Sequence, residues 1–175
     1  MNLVFNKIRE RLFSYFSKIE LSRALKSKPD HGDIDIVLLN DKHLDVMSVI
    51  KDRLSGDVIE TSKNGNIYSV LYYAGYIGKQ VHVDFLVVSK EEDFEPQYDY
   101  LSFNDFSGIL GVMSRRVRFN YGTQGFFKIY EDKRGQYHYI LLTKNLRDGP
   151  NILGYADIID KYYKIETVDD IVNFI

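Results

Sequence analysis

Lys28-Pro29-Asp30-His31-Gly32-Asp33-Ile34-Asp35-Ile36-Val37-Leu38-Leu39 sets two carboxylates two residues apart at the head of an apolar run. The run reads as a strand, in which successive side chains point to opposite faces. Asp33 and Asp35 therefore share one face, and Ile34 and Ile36 the other. Two like charges side by side repel, and a cation between them relieves the repulsion. Gly32 allows the chain to turn tightly into the strand.

Working outward, a third acid stands in Val81-His82-Val83-Asp84-Phe85-Leu86. Asp is depleted in strand interiors, yet Asp84 interrupts a run otherwise suited to burial. If this strand neighbours Ile34–Leu39, three carboxylates converge. Such a set can hold two divalent ions ~3.5–4 Å apart, the arrangement of phosphoryl transfer. His82 shares a face with Asp84. It reads either as a group lining the site or as a packed, partly exposed side chain. The plainer reading of the acids is a pair of solvated strand ends.

The remaining pattern predicts an α+β fold. Phe5, Ile8, Leu12, Tyr15 and Phe16 recur at helical spacing, predicting a helix over 3–18. Ile19–Leu21 reads as a short strand, and 22–31 as a polar, basic turn. Asn40-Asp41 offers N-cap chemistry to a helix carrying Leu44, Met47, Ile50 and Leu54, ending at Gly56. Three strands follow, 57–62, 66–74 and 80–89, with Lys63-Asn64-Gly65 and Tyr76–Lys79 as turns. The acidic Glu91–Pro96 reads as a connector between regions 1–95 and 96–175. Beyond it the spacing predicts a helix over 104–116, strands over 126–130 and 137–143, and a helix opened by Pro150 over 151–160. A last helix has Thr167 as its N-cap.

The 175 residues are 45% hydrophobic and 14% aromatic, enough for a core rich in Tyr and Phe. A net charge of −2 leaves nucleic-acid contact to local basic clusters. The densest is Arg115-Arg116-Val117-Arg118, which suits either a helix C-terminus or a phosphate backbone, with Tyr121 and Phe126 near enough in sequence to stack on a base. Absence of cysteine rules out disulfides and thiolate metal sites. Charges interspersed through Met1–Lys7 predict no signal peptide, and no run reaches the ~18 apolar residues of a membrane span. A cytoplasmic protein is expected, in the host cytoplasm if virus-encoded.

Gly32-Asp33-Ile34-Asp35-Ile36, with the later Val83-Asp84-Phe85, resembles the nucleotidyltransferase superfamily of the DNA polymerase β type. The stretch from Lys26 to Asp35 is similar to the palm of family X polymerases. The order of elements after residue 96, with Ile152-Leu153-Gly154 and Tyr162-Tyr163, resembles the thumb more loosely. The resemblance implies a mixed sheet with packed helices (the palm) followed by a small α+β thumb. It implies two Mg²⁺ or Mn²⁺ ions on Asp33, Asp35 and Asp84. It also implies transfer of a nucleoside monophosphate from an NTP or dNTP to a hydroxyl, for example a nucleic-acid 3′ end, with release of pyrophosphate. Family members hold the triphosphate with a Gly-Ser pair upstream of the acids, and Ser22-Arg23 stand at those positions. Arg23 would grip phosphate bidentately, aided by Lys26 and Ser22. Equally, loss of the Gly would block close approach of phosphate to backbone. Two readings follow: an active nucleotidyltransferase, or a catalytically degenerate member acting as a binding or structural module in a larger assembly. Short members of the superfamily also serve in toxin–antitoxin pairs, so a protein partner is a further expectation.

Overall fold

Val83 and Phe85 have no exposed surface, while His82 and Asp84 between and beside them do. That alternation is the key to the first sheet. The structure, a computed structural model, describes residues 2–27, 32–102, 105–145, 148–154 and 164–174. The chain is a mixed α+β protein forming two units: Met1–Ser22 with Asp30–Phe94, and Arg23–Pro29 with Glu95–Ile175.

The first unit holds α1 (Asn2–Leu12), β1 (Lys18–Leu21), β2 (Asp33–Leu39), α2 (Val46–Arg53), β3 (Val58–Asn64), β4 (Ile67–Ala74) and β5 (Lys79–Val88). Its five strands run in the order β1-β2-β5-β4-β3. Only β2 and β5 are parallel; the other pairs are antiparallel. Val4, Phe5, Ile8 and Leu12 of α1 and Val46 and Ile50 of α2 share one core with Ile34, Ile36, Leu38, Val70, Tyr72, Val83 and Phe85. One sheet face is thereby closed by helices. The residues between, Asp33, Asp35, His82 and Asp84, take the other face. Gly65, at φ +59°, is the first residue of the two-residue β3–β4 loop, where Gly is the residue a tight hairpin needs.

Several predicted elements are corrected. α1 stops at Leu12, not 18, because Lys18 is already paired with Leu39 in the sheet. Phe16 is buried from the intervening turn. α2 is capped by Asp45, whose carboxylate accepts from the Ser48 backbone N–H at 3.2 Å, and not by Asn40-Asp41. Asn40 instead closes the preceding loop with two hydrogen bonds to the Leu44 backbone, both 2.9 Å. The acidic connector is structured: a 3₁₀ turn, Glu91–Asp93, runs into α3 (Phe94–Leu101). Pro96 sits in the first turn, where its missing N–H has no partner to lose.

The second unit adds α4 (Asp105–Arg116), β6 (Phe119–Gly122), β7 (Gly125–Glu131), β8 (Tyr137–Thr143), α5 (Asp148–Ile152) and α6 (Val168–Phe174). β6-β7-β8 form an antiparallel sheet. β6 was not predicted; it is four residues long, too short for a period to register. Leu25, Leu110, Tyr121, Phe126, Ile165 and Ile171 make its core. α5 begins at Asp148, before Pro150, and the predicted continuation over 155–160 lies outside the described residues. So do Lys28–His31, Asn104, Tyr162 and Tyr163. Thr167 caps α6 as expected: its hydroxyl accepts from Asp170 N at 3.1 Å, and Asp170 accepts back from Thr167 N at 2.8 Å.

Candidate metal and phosphate site

The parallel register of β2 on β5 decides what the acids can do. Asp33 lies opposite His82, and Asp35 opposite Asp84. The row continues across the sheet, since Asp84 faces Ser69 on β4 and Ser69 faces Ser62 on β3. Asp35, Asp84, Ser69 and Ser62 thus form a polar line on the face opposite the helices. Next to it run Asp33, His82, Leu71 and Glu60.

Asp33, His82 and Asp84 each offer one donor atom, and the three atoms lie within 4.8 Å of one another. His82 Nδ1 is 3.9 Å from Asp84 Oδ1. The Asp84 side chain is 25% exposed, yet its Oδ1 is buried with no hydrogen-bond partner among the described residues. A carboxylate oxygen withdrawn from water without a partner is unfavourable, more so beside a second acid. A divalent ion would satisfy it, and the donor set suits one. Asp35 shares the face and the row but is not one of the three whose atoms converge.

Ser22 is buried, and its backbone N–H donates to the Asp35 carbonyl at 2.9 Å. It therefore stands directly beside the second acid. Arg23 and Lys26 belong to the second unit. The Arg23 guanidinium pairs with Asp99 at 3.5 Å and lies over the Tyr98 ring, while its backbone N–H donates to Ser102 Oγ. Lys26 pairs with Glu166 through its ammonium and its backbone N–H alike. Both expected phosphate ligands are thus held by carboxylates of their own unit.

Arg115, Arg116 and Arg118 are all exposed around the C-terminus of α4. Arg118 adopts φ +60°, the left-handed conformation common just past a helix end. The neighbouring aromatics do not join them. Tyr121 is buried against Tyr100 and Phe126 is stacked on Phe119, so both are core residues and not base-stacking platforms.

His82 was legible only as one of two alternatives, and Ser69 and Ser62 not at all. The His-x-Asp spacing on a strand was the available signal for the first. The serines needed the register of β4, which no local pattern carries. A shallow cavity of about 190 Å³, lined by Glu60, Thr61, Ser62, Ser69, Leu71 and His82, adjoins the cluster. Among the described residues, no helix is long and apolar enough to cross a membrane. No family model and no curated protein matches the chain.

Proposed function

We propose that this chain has a nucleotidyltransferase fold and is a metal-dependent nucleotidyltransferase, moving a nucleoside monophosphate from an NTP or dNTP to an acceptor hydroxyl. The observation that carries the reading is the β2–β5 register, which aligns Asp33 with His82 and Asp35 with Asp84 and leaves a buried, unpartnered Asp84 oxygen. Asp33, Asp35 and Asp84 would hold two Mg²⁺ or Mn²⁺ ions. When bound, such ions lower the pKa of an attacking hydroxyl and neutralise charge on the leaving pyrophosphate. The chain's own part is positional. Rigid strands backed by α1 and α2 would fix the carboxylates, and Ser22, whose N–H donates to the Asp35 carbonyl, would stand for the Gly of the phosphate-holding pair that the resemblance implies. The acceptor oxygen bonds to the α-phosphorus, the α–β bridging bond breaks, and pyrophosphate departs. A nucleic-acid 3′ end is one acceptor this chemistry serves, and Arg115, Arg116 and Arg118 are exposed cations suited to phosphates. A cytoplasmic setting, where nucleotides and Mg²⁺ are abundant, fits this reading.

A second reading, a binding module of the same fold without turnover, has its own support. Ser22-Arg23 replace the Gly-Ser pair, and Arg23 and Lys26 are engaged by Asp99 and Glu166. Such a module would act with a protein partner.

Calorimetric titration with each NTP in Mn²⁺ separates the two readings. Wild type should bind, and Asp33→Asn and Asp84→Asn should weaken binding at least ~10²-fold, the several kcal/mol a bound ion supplies. No binding, or binding indifferent to both substitutions, sinks the enzyme reading. Extension of an end-labelled oligonucleotide by wild type and not by Asp84→Asn then selects the enzyme.

A further inference from the structure

We propose that His82 is a ligand of the ion held at Asp33 and Asp84, and that it biases this position toward Mn²⁺ or Co²⁺ and away from Mg²⁺. The inference rests on the metal reading above and goes beyond its all-carboxylate ligand set.

The first argument is placement. His82 is the cross-strand neighbour of Asp33 and lies two residues from Asp84 on the same face of β5. Val83 and Phe85, on either side of Asp84, are fully buried, so β5 cannot roll to turn the imidazole away. The imidazole is thereby kept on the face that carries both carboxylates.

The second argument is distance. Metal–nitrogen and metal–oxygen bonds are about 2.0–2.2 Å, which sets neighbouring ligand atoms about 3.0–3.5 Å apart. The three donor atoms are within 4.8 Å of one another, and His82 Nδ1 is 3.9 Å from Asp84 Oδ1. Small rotations of partly exposed side chains close that gap. At 3.9 Å the same pair is too far apart to be a hydrogen bond. Among the described residues the His82 ring makes no hydrogen bond, so no competing polar role occupies it.

The third argument is donor chemistry. Mg²⁺ favours oxygen ligands and retains its waters, and gains little from an imidazole. Mn²⁺ and, more strongly, Co²⁺ gain from nitrogen, following the usual order of divalent affinities. Three protein donors leave further positions of the ion open. The adjoining cavity, which His82 itself lines, leaves room for water or a ligand oxygen on that side.

The test is titration of the full, tag-free chain with CoCl₂, MnCl₂ and MgCl₂, read by calorimetry and, for Co²⁺, by its visible absorption. Wild type should bind Co²⁺ and Mn²⁺ more tightly than Mg²⁺. His82→Ala and His82→Asn should each weaken Co²⁺ about tenfold or more, alter its spectrum, and change Mg²⁺ affinity less than about twofold. Asp84→Asn should weaken all three ions. His82 variants that leave Co²⁺ affinity and spectrum unchanged overturn the proposal while the carboxylate site stands. If Asp33→Asn and Asp84→Asn are equally silent, the metal reading falls with it. Circular dichroism of each variant confirms that the fold is kept, as expected for a half-exposed strand residue.

Discussion

β5 and β8 are both rich in apolar residues, and the molecule uses them in opposite ways. β5 alternates: Val83 and Phe85 are sealed beneath helices, while His82 and Asp84 face outward. β8, an edge strand reading Tyr-His-Tyr-Ile-Leu-Leu-Thr, is exposed along both faces up to Leu142. Apolar content alone therefore does not say what a strand does. What matters is whether one face is closed. A sheet with a closed back has a single register that keeps its apolar set inside, and that register fixes the opposite face to within a residue. Such a surface can hold donor atoms in place. The candidate site lies on the sheet of this kind.

The largest effect expected from that contrast is on stability. Phe85→Ala empties a fully buried position and should cost about 3–5 kcal/mol. Ile140→Ala, on a strand position 53% exposed, should cost about 1 kcal/mol or less, a matter of strand preference alone. Urea denaturation of both variants measures the difference. Equal losses would mean that β8 is covered in solution, and the contrast would fail.

How much of this was legible beforehand follows the same line. β2 and β5 could be read because charged residues interrupting apolar runs stand out, and Thr167 because its cap is local. The β2–β5 pairing was only a conditional, since parallel strands meet through a long crossover that no window of sequence contains. α3 was hidden by its composition: acids followed by Pro read as a linker, although both are welcome in a first helical turn. Arg23–Pro29 carry no sign that they belong with the second unit. Leu25, buried in that unit's core, ties them there together with the Arg23–Asp99 and Lys26–Glu166 pairs. Arg23 pairs with Asp99, a residue far along the chain, and no local pattern announces that partner.

A second, smaller effect probes how the exposed sheet is held together. Gly125 begins β7 at φ +123°, and an added Cβ would sit 2.6 Å from the Thr143 carbonyl oxygen on β8. Backbone on both sides must shift, so Gly125→Ala should cost about 1–3 kcal/mol from strain and lost pairing. The loss should appear in the urea midpoint and in faster amide exchange along β7 and β8. A neutral substitution would mean that this sheet yields where the first does not, which would sharpen the contrast further.

The smallest effect concerns what the two regions share. Asp45 caps α2 in the first unit, and Asp170, in the first turn of α6, reaches back to the Thr167 cap in the second. Both carboxyls are held below the usual 3.8: Asp45 chiefly by the Ser48 hydroxyl and then its N–H, Asp170 chiefly by the Glu166 N–H and then by Thr167. A depressed folded pKa contributes stability that is present above 3.8 and lost as pH falls through the lower folded value. An Asn amide oxygen accepts the same backbone N–H bonds as Asp but does not titrate there. Asp45→Asn and Asp170→Asn should therefore keep near-wild-type stability at neutral pH, and each should flatten the decline on the acid side. The sites lie in different units and share no bond, so the double variant should flatten it by the sum. Urea midpoints at neutral pH and at about pH 3 measure this. A steep acid limb surviving in the double variant would assign acid sensitivity to other carboxylates, first among them Asp132, held low by the His138 ring and then by the Gln136 and Arg134 N–H groups.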